Sequence, residues 1–516
     1  MPVAPKVTPE GRQLIQKKMK KAKILIAVVA TLIATTTNAQ NENETKDSFD
    51  KFREGILTSY NNFRDKILED YDEFLDGVWK EYQRFLGVER NPKPKPFVVP
   101  RYEVPVTPLE PVKLKPIVVT PDIKPVKPLD IPTPTIPPVV PVIPDIPTPP
   151  PVKPSIEYQN FSFYSLSVKV PKTDYTSLLQ VEMGQYGEAW RQLKQLKVEK
   201  QVLPALQQVV QACGLNDYFT YELTECYVDA VLSSANAEKR ISLLHYLMAH
   251  QGFDVRIARC GQIPLLLLPM EQMVYARSYL NINEQRFYLF TDKLSGSVDL
   301  GNGGIYSCDI PKDANAGRTL DLTIRPLTMP EHKQSFNISY GGLTLKGQVN
   351  TTLINMVRHY PQMSIPDYAR STLDTGIRRS LISQMKQQLQ PYQGMTAVNK
   401  LLRFIQMGFE YATDQEQHGY EKPYFLEEIL YYPKCDCEDR AVFFAYLVKE
   451  VLGVDNCLIQ YPGHECTAIV RNDMTGDGFT LNGKSYYITD PTYLGADAGH
   501  CMPQYRETQP EVQFWY

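Results

Sequence analysis

A long proline-rich tract divides this chain and limits what each side of it can fold into. Residues 91–155 hold 22 of the 41 prolines. Proline lacks a backbone N–H and has a fixed φ, so the tract cannot continue a helix or a sheet interior and favours polyproline II. It therefore predicts a spacer of roughly 3.1 Å per residue ahead of globular sequence that begins near residue 156. A docking site for proline-binding modules is the alternative.

The N-terminus has the pattern of an export signal. Lysines precede an apolar run over residues 24–34, and the small residues Thr37 and Ala39 follow at positions typical of signal cleavage. The run is shorter than the roughly 20 apolar residues that span a bilayer. We expect residues 1–39 to be removed, with translation starting at Met19, and the mature protein to be secreted or periplasmic without a membrane span. A buried helix or a membrane anchor is the alternative.

Residues 47–90 contain four tandem repeats of 11 residues. Aromatic and aliphatic positions recur at spacings of 3, 4 and 4, and an 11-residue period predicts a helix with a right-handed supercoil. One helix cannot bury such a stripe alone, so the segment 40–90 predicts self-association or a partner helix. A membrane-surface helix is the rival, but the polar face is slightly more acidic than basic, which disfavours anionic lipid.

Composition and patterning set the fold class of the remainder. The formal net charge of −3 provides no basic field for nucleic acid. Alternating and helical patterns predict an α+β fold, with an α+β domain over 156–300, a small β-sandwich domain over 301–374 around a turn at Gly341-Gly342, and a second α+β domain over 375–516. All nine cysteines follow residue 212, and an odd number in an exported protein leaves one thiol free or paired between chains.

The stretch 400–505 carries the candidate chemistry. After Cys437 the apolar residues keep helical spacing, which places this cysteine at a helix N-terminus, where the helix dipole favours a thiolate. His464 opens a strand and Asp490 ends the next one, so antiparallel pairing can bring the two side chains together. A cysteine nucleophile needs a histidine to move protons and a third group to orient that histidine.

These residues resemble the transglutaminase-like superfamily of papain-like cysteine enzymes. The likeness rests on 436–441, on Gly463-His464 and on 490–492, in the order Cys, His, Asp with spacings of 27 and 26 residues, and it covers about residues 396–505. It implies a papain-like fold, with Cys437 as nucleophile, His464 as base and acid, and Asp490 as the orienting group. Cys435 departs from the pattern and raises the question of redox control.

The resemblance implies acyl transfer on protein or peptide amides through a thioester. We expect hydrolysis rather than crosslinking, because the domain leaves little chain for an acceptor-binding wall. A non-catalytic transglutaminase-like binding or scaffold protein is the alternative. We expect no cofactor and no metal: residues 473–478 have a faint calcium-loop pattern, but Lys484 stands where a bidentate glutamate is needed.

The segment 156–300 repeats parts of the C-terminal pattern. Residues 237–240 lie 200 residues before 437–440, and 288–292 parallels 486–490. Ala237 stands in the place of the cysteine, and residues 261–264 contain no histidine. The pattern predicts an internal duplication whose degenerate first copy binds but does not catalyse. Two unrelated α+β domains are the alternative.

Overall fold

The computed structural model describes residues 99–103, 111–112, 114–117, 157–233, 236–291, 305–308, 316–432 and 434–516. These residues all belong to one unit of the chain, Gly87–Tyr516. The expected export signal and the 11-residue repeats lie outside the described residues, as does most of the proline tract. In the part of the chain that is described, no helix combines the length and the apolar character needed to cross a membrane.

The first half packs helices against an antiparallel sheet. Its helices are α1 (Tyr175–Leu178), α2 (Tyr186–Gln195), α3 (Val198–Cys213), α4 (Asp217–Val231) and α5 (Ala237–His250). Its strands are β1 (Tyr158–Phe163), β2 (Leu166–Pro171), β3 (Arg256–Cys260), β4 (Ile263–Pro269), β5 (Tyr279–Ile282), β6 (Gln285–Thr291) and β7 (Ile305–Ser307). Helix α5 begins at a favourable cap, since the Asn236 side chain accepts a hydrogen bond from the Lys239 N–H. Most of α5 is buried, which makes it the central helix of this half.

The second half also packs helices against an antiparallel sheet, and it contains a hairpin and additional helices. Its helices are α6 (Thr351–Val357), α7 (Ile365–Arg370), α8 (Thr375–Leu389), α9 (Gly394–Gly408), α10 (Asp414–Gln417) and α11 (Cys437–Leu452). Its strands are β8 (Lys333–Tyr340), β9 (Leu343–Asn350), β10 (Glu410–Tyr411), β11 (Lys434–Cys435), β12 (Asn456–Tyr461), β13 (His464–Ile469), β14 (Gly478–Leu481), β15 (Lys484–Thr489) and β16 (Glu511–Trp515). Helix α11 is buried along most of its length and packs on β12 and β13. The protein is therefore of mixed α+β class, as the sequence predicts.

The two five-stranded sheets share one strand order. The first runs β5-β6-β4-β3-β7 and the second β14-β15-β13-β12-β16, and all neighbours in both are antiparallel. In each half a mostly buried helix, α5 or α11, comes directly before the first strand of its sheet. The halves thus place corresponding helices and strands in the same order along the chain.

The range 301–374, where the sequence predicts a small β-sandwich domain, contains both strands and helices among its described residues. Its strands are β7 and the hairpin β8–β9, which turns at Gly341-Gly342 as expected, and its helices are α6 and α7. The hairpin packs on α8 and α9 of the second half, whereas Arg318 and Leu320 form isolated bridges with residues of the first half. Alternating apolar residues indicate strands, but they do not specify the layer that covers the strands.

Part of the proline tract lies along the second half. Arg101 forms a parallel bridge with Leu494, and Ile117 forms another with Leu481. The Val112 N–H donates to Asp477 Oδ1 at 2.8 Å. Over its described residues, the start of the tract is therefore docked on the C-terminal sheet, a contact that proline content alone does not indicate.

Candidate active site

Cys437 is the first residue of the buried helix α11. Its side chain is only 1% exposed, and the preceding Asp436 donates its backbone N–H to Asp439 Oδ2 at 3.3 Å, which fixes the start of the helix. The backbone N–H groups of a first helical turn point out of the helix end and favour negative charge there. The cysteine that the sequence singles out is thus at the N-terminal end of a helix.

The neighbouring carboxylate contacts the thiol. Cys437 Sγ donates to Glu438 Oε2 at 3.1 Å, and Glu438 is itself buried. A nearby negative charge disfavours a thiolate, so this contact opposes the effect of the helix dipole. The sequence pattern gives no indication of this role of Glu438.

His464 and Asp490 form a buried hydrogen-bonded pair. His464 Nε2 lies 2.8 Å from Asp490 Oδ2, and both side chains are almost fully buried. The tight turn before β13 has Gly463 at φ +74°, a conformation that suits glycine, and β13 pairs with β15, the strand that ends just before Asp490. If Nε2 is the protonated nitrogen, Nδ1 carries the lone pair, and Nδ1 is buried without a hydrogen-bond partner among the described residues.

Asp490 lies at the start of a loop that is held by hydrogen bonds from α9. Asp490 Oδ1 accepts from the N–H groups of Thr492 at 2.8 Å and Tyr493 at 3.3 Å. Gln406 Nε2 donates to the carbonyl oxygens of residues 490, 493 and 496 at 3.0, 2.8 and 3.0 Å. Because Gln406 is 1% exposed, its amide fixes this loop from inside the protein.

An aromatic ring covers the histidine. Tyr505 stacks on His464 with a centroid distance of 5.5 Å and an angle of 5° between the planes. Tyr461 in turn stacks on the Tyr505 ring, and the centroids of these two rings lie 4.8 Å apart. The Tyr505 hydroxyl donates to the Pro462 carbonyl at 3.3 Å, which ties the ring to the turn before β13. This stack restricts the imidazole orientation and limits access of water to it.

Cys437 and His464 line the same cavity, whose volume is about 50 Å³. Glu438, Gln460 and Glu465 also line it. Gly463, next to His464, is also part of the lining. The remaining lining residues come from three other segments of the described chain: Tyr275, then Gln362, Met363 and Ile365, then Glu421 and Pro423. Tyr275 belongs to the first half, so the two halves build this cavity together.

The other cysteines of the second half have a different environment. Burial raises the pKa of the Cys435 thiol to about 11 and that of Cys501 to about 12. Burial likewise raises the pKa of Cys466 well above its ordinary value. These three thiols therefore stay protonated near neutral pH.

Three groups of side chains among the described residues bring possible metal ligands within 4.8 Å of one another. One group joins Cys466 to the His464–Asp490 pair, and the other two are carboxylate clusters around Asp414. In the clusters, Asp414 accepts from the Lys422 N–H at 2.7 Å, which gives that carboxylate a structural role.

Asp477, in the calcium-like loop 473–478, also has a structural role. Asp477 accepts from the N–H groups of Val112 and Cys501 and from the Arg506 guanidinium, at 2.8, 3.1 and 3.0 Å. Its carboxylate is therefore directed into the protein, toward the docked segment of the proline tract.

A comparison of the chain with protein-family models, with curated proteins and with solved structures finds no match. The residues themselves therefore carry the functional argument. Sequence reasoning placed Cys437, His464 and Asp490 but missed Gln406 and Tyr505. Gln406 carried a usable signal, because it is a polar residue on the otherwise apolar face of α9, whereas Tyr505 reaches His464 only through the tertiary fold.

Proposed function

We propose that the protein is a cysteine acyl-transfer enzyme acting on protein or peptide amides, with a papain-like arrangement of the transglutaminase-like kind in its second half. The observation that carries this proposal is the buried 2.8 Å contact between His464 and Asp490 beside a cavity that His464 shares with Cys437 at a helix N-terminus. Nucleophile, base and orienting group are the parts that such a reaction needs.

The geometry suggests a role for each ring nitrogen of His464. Nε2–H donates to Asp490, so Nδ1 accepts the proton from Cys437, and the thiolate attacks the amide carbonyl carbon. The imidazolium, stabilised by Asp490, then returns the proton from Nδ1 to the leaving amine as the C–N bond breaks. The thioester that remains on Cys437 passes its acyl group to water or to another amine, which regenerates the thiol.

Hydrolysis is the favoured outcome. The short segments between the motifs of this domain leave little chain for a wall that would bind an acceptor amine, so water is the expected acceptor. Mass spectrometry of substrate fragments formed in the presence of a labelled primary amine checks this expectation. Incorporation of the amine in excess of cleavage would favour crosslinking instead.

The first half fits a degenerate copy of the second. Ala237 begins α5 as Cys437 begins α11, and the two sheets share one strand order. Ile263 opens β4 at the place where His464 opens β13. We infer a duplication in which the first copy lost the reacting side chains, and the presence of Tyr275 in the cavity gives this copy a part in substrate binding.

Export and assembly are two further parts of the proposal. We infer that residues 1–39 direct secretion or transfer to the periplasm, and that residues 47–90 associate with themselves or with a partner helix. N-terminal sequencing of the exported protein tests cleavage after residue 39. Sedimentation of the mature chain with and without residues 47–90 tests association, and equal masses would contradict it.

Thiol labelling tests the proposed function directly. Iodoacetamide near neutral pH should modify Cys437 faster than any other cysteine, and His464→Ala should slow that modification. Cys437→Ala should abolish turnover while unfolding free energy changes by about 1 kcal/mol or less. Cys435→Ala is the matched control, since it removes the neighbouring thiol and should leave labelling at Cys437. Unchanged turnover of the Cys437→Ala variant would refute the assignment.

One observation favours the alternative, a non-catalytic binding protein. The thiol of Cys437 donates to the Glu438 carboxylate, a contact that stabilises the protonated sulfur. In a binding protein, Cys437 would be alkylated no faster than the buried Cys435. The labelling rates of these two residues therefore separate the two functions.

A further inference from the structure

A second cavity adjoins the one at Cys437. Its volume is about 220 Å³, and it shares the lining residues Tyr275, Gln362, Glu421 and Pro423 with the first cavity. The Tyr275 N–H donates to the Gln362 carbonyl at 2.8 Å, so the common wall is a fixed contact between the two halves. The second cavity therefore lies directly beside the cavity that contains the thiol.

The second cavity is lined by two arginines, and we call it the arginine cavity. Arg277 comes from the β4–β5 loop of the first half, and Arg358 follows α6. The Arg277 guanidinium lies 3.9 Å from the centroid of the Phe290 ring and donates to the Leu289 carbonyl at 3.3 Å. This stacking holds the guanidinium in place while leaving other N–H groups available.

The charge of the arginine cavity is positive. Among the described residues, neither Arg277 nor Arg358 forms an ion pair, and Arg358 donates only to the neutral Asn355 side chain at 2.9 Å. Lys422 is neutralised, because its Nζ lies 2.7 Å from Glu428 Oε1 in the interior. Glu421, on the wall shared with the first cavity, contributes one negative charge. The lining of the arginine cavity therefore has the positive charges of two arginines and the negative charge of one carboxylate.

We propose that the arginine cavity is a subsite of the same active site and takes a carboxylate of a peptide substrate, a few residues from the bond that Cys437 attacks. The planar guanidinium matches a carboxylate with paired hydrogen bonds. The carboxylate belongs either to an acidic side chain or to the C-terminus of the substrate. This inference rests on the proposed function and assigns the first half a role in specificity.

Binding and turnover of defined peptides test the subsite separately from the chemistry. The probes are three libraries of short mixed-sequence peptides: acidic ones blocked at both ends, neutral ones blocked at both ends, and neutral ones with a free C-terminal carboxylate. Binding is measured with the Cys437→Ala protein, and turnover with the unmodified protein. We expect one of the two anionic libraries to bind about tenfold more tightly than the blocked neutral library, and that library identifies the source of the carboxylate.

Variants of the two arginines connect the preference to the cavity. Combining Arg277→Gln with Arg358→Gln should remove the preference for anionic peptides, and Arg358→Glu, a change at an exposed position, should reverse it in favour of the blocked neutral library. Arg191→Gln is the matched control, because Arg191 is 66% exposed on α2 and outside both cavities, and it should keep the preference.

The outcomes separate the subsite from the reaction. Anionic preference in the Cys437→Ala protein without any turnover of the unmodified protein would support the subsite and refute the proposed function. Turnover without anionic preference would overturn the subsite and leave the proposed function standing. A preference that survives both arginine changes would also overturn the subsite.

Discussion

Replacing the buried amide that organises the Asp490 loop should damage the site without touching the cavity. Gln406→Met keeps an unbranched side chain of similar length and a residue suited to helices, but it removes the two N–H donors and the carbonyl acceptor. Gln406 donates to three loop carbonyls and accepts from the Gly495 N–H at 3.2 Å. From α9, the loop would then keep only the contacts at its far end, where Arg403 pairs with Asp497 and Asn399 accepts from the Ala498 N–H.

The expected loss in free energy of unfolding depends on which hydrogen-bond partners the polar groups of the loop keep. The carbonyls of Asp490 and Tyr493 retain the N–H groups of Tyr493 and Ala496 at 3.3 and 3.1 Å. The Ala496 carbonyl and the Gly495 N–H lose the Gln406 partner. A buried polar group that loses its partner costs about 1–3 kcal/mol. Gly495 is exposed to water, so the loss comes chiefly from the Ala496 carbonyl, and the free energy of unfolding should fall by about 2 kcal/mol. Because Asp490 would move relative to the histidine, turnover should also fall by about tenfold or more.

Urea denaturation and turnover, measured on the same preparations, check both effects. Gln387→Met on α8 is the control, since the same substitution at an exposed position should change the free energy of unfolding by less than about 0.5 kcal/mol. A Gln406→Met protein as stable as the control would refute the reasoning about the loop. A destabilised variant with full turnover would refute the link between the loop and the histidine.

Three further perturbations follow from contacts of the site. Glu438→Gln removes the carboxylate that favours the protonated thiol, so alkylation of Cys437 at neutral pH should become faster, and a slower reaction would show that the carboxylate assists instead. Tyr505→Ala should reduce turnover by exposing the imidazole to water, whereas Tyr505→Phe keeps the ring and should retain most of it. The pKa of Asp477 is lowered from 3.8 because hydrogen bonds from Arg506 and from backbone N–H groups outweigh the cost of burial. The resulting stability is complete above pH 3.8 and is lost as the pH falls through the lowered value, so Asp477→Asn should make the acid unfolding transition less steep.

The sequence alone determined local features that depend on neighbouring residues. Helical spacing of apolar residues after Cys437 predicted a helix that starts there, and the structure has α11 over Cys437–Leu452. The sequence also predicted a strand that His464 opens and a next strand that Asp490 ends, and the structure has strands over His464–Ile469 and Lys484–Thr489. The pair Gly341-Gly342 predicted a hairpin turn. These features follow from periodicity and turn chemistry, which act within a few residues of each other.

The sequence pattern did not determine which layers these elements join. Alternation over 318–350 suggested a separate β domain, but the hairpin packs on α8 and α9. Proline content predicted a spacer over 91–155, yet Val112 bonds to Asp477. A strand or an extended segment buries the same side chains against any apolar partner of suitable shape, so its partner depends on the assembled fold.

Tertiary structure decided the functional neighbourhood. Tyr275 and Arg277 lie well over a hundred residues before Cys437, and only the packing of the two halves brings them to adjoining cavities. Tyr505 meets His464 because the chain returns past the end of β13. Residue types along the chain indicated which side chains could react, since that is a property of each group and its local backbone. Which side chains cover, orient and charge the cavities depends on contacts between distant segments, and those contacts are fixed only when the whole core is packed.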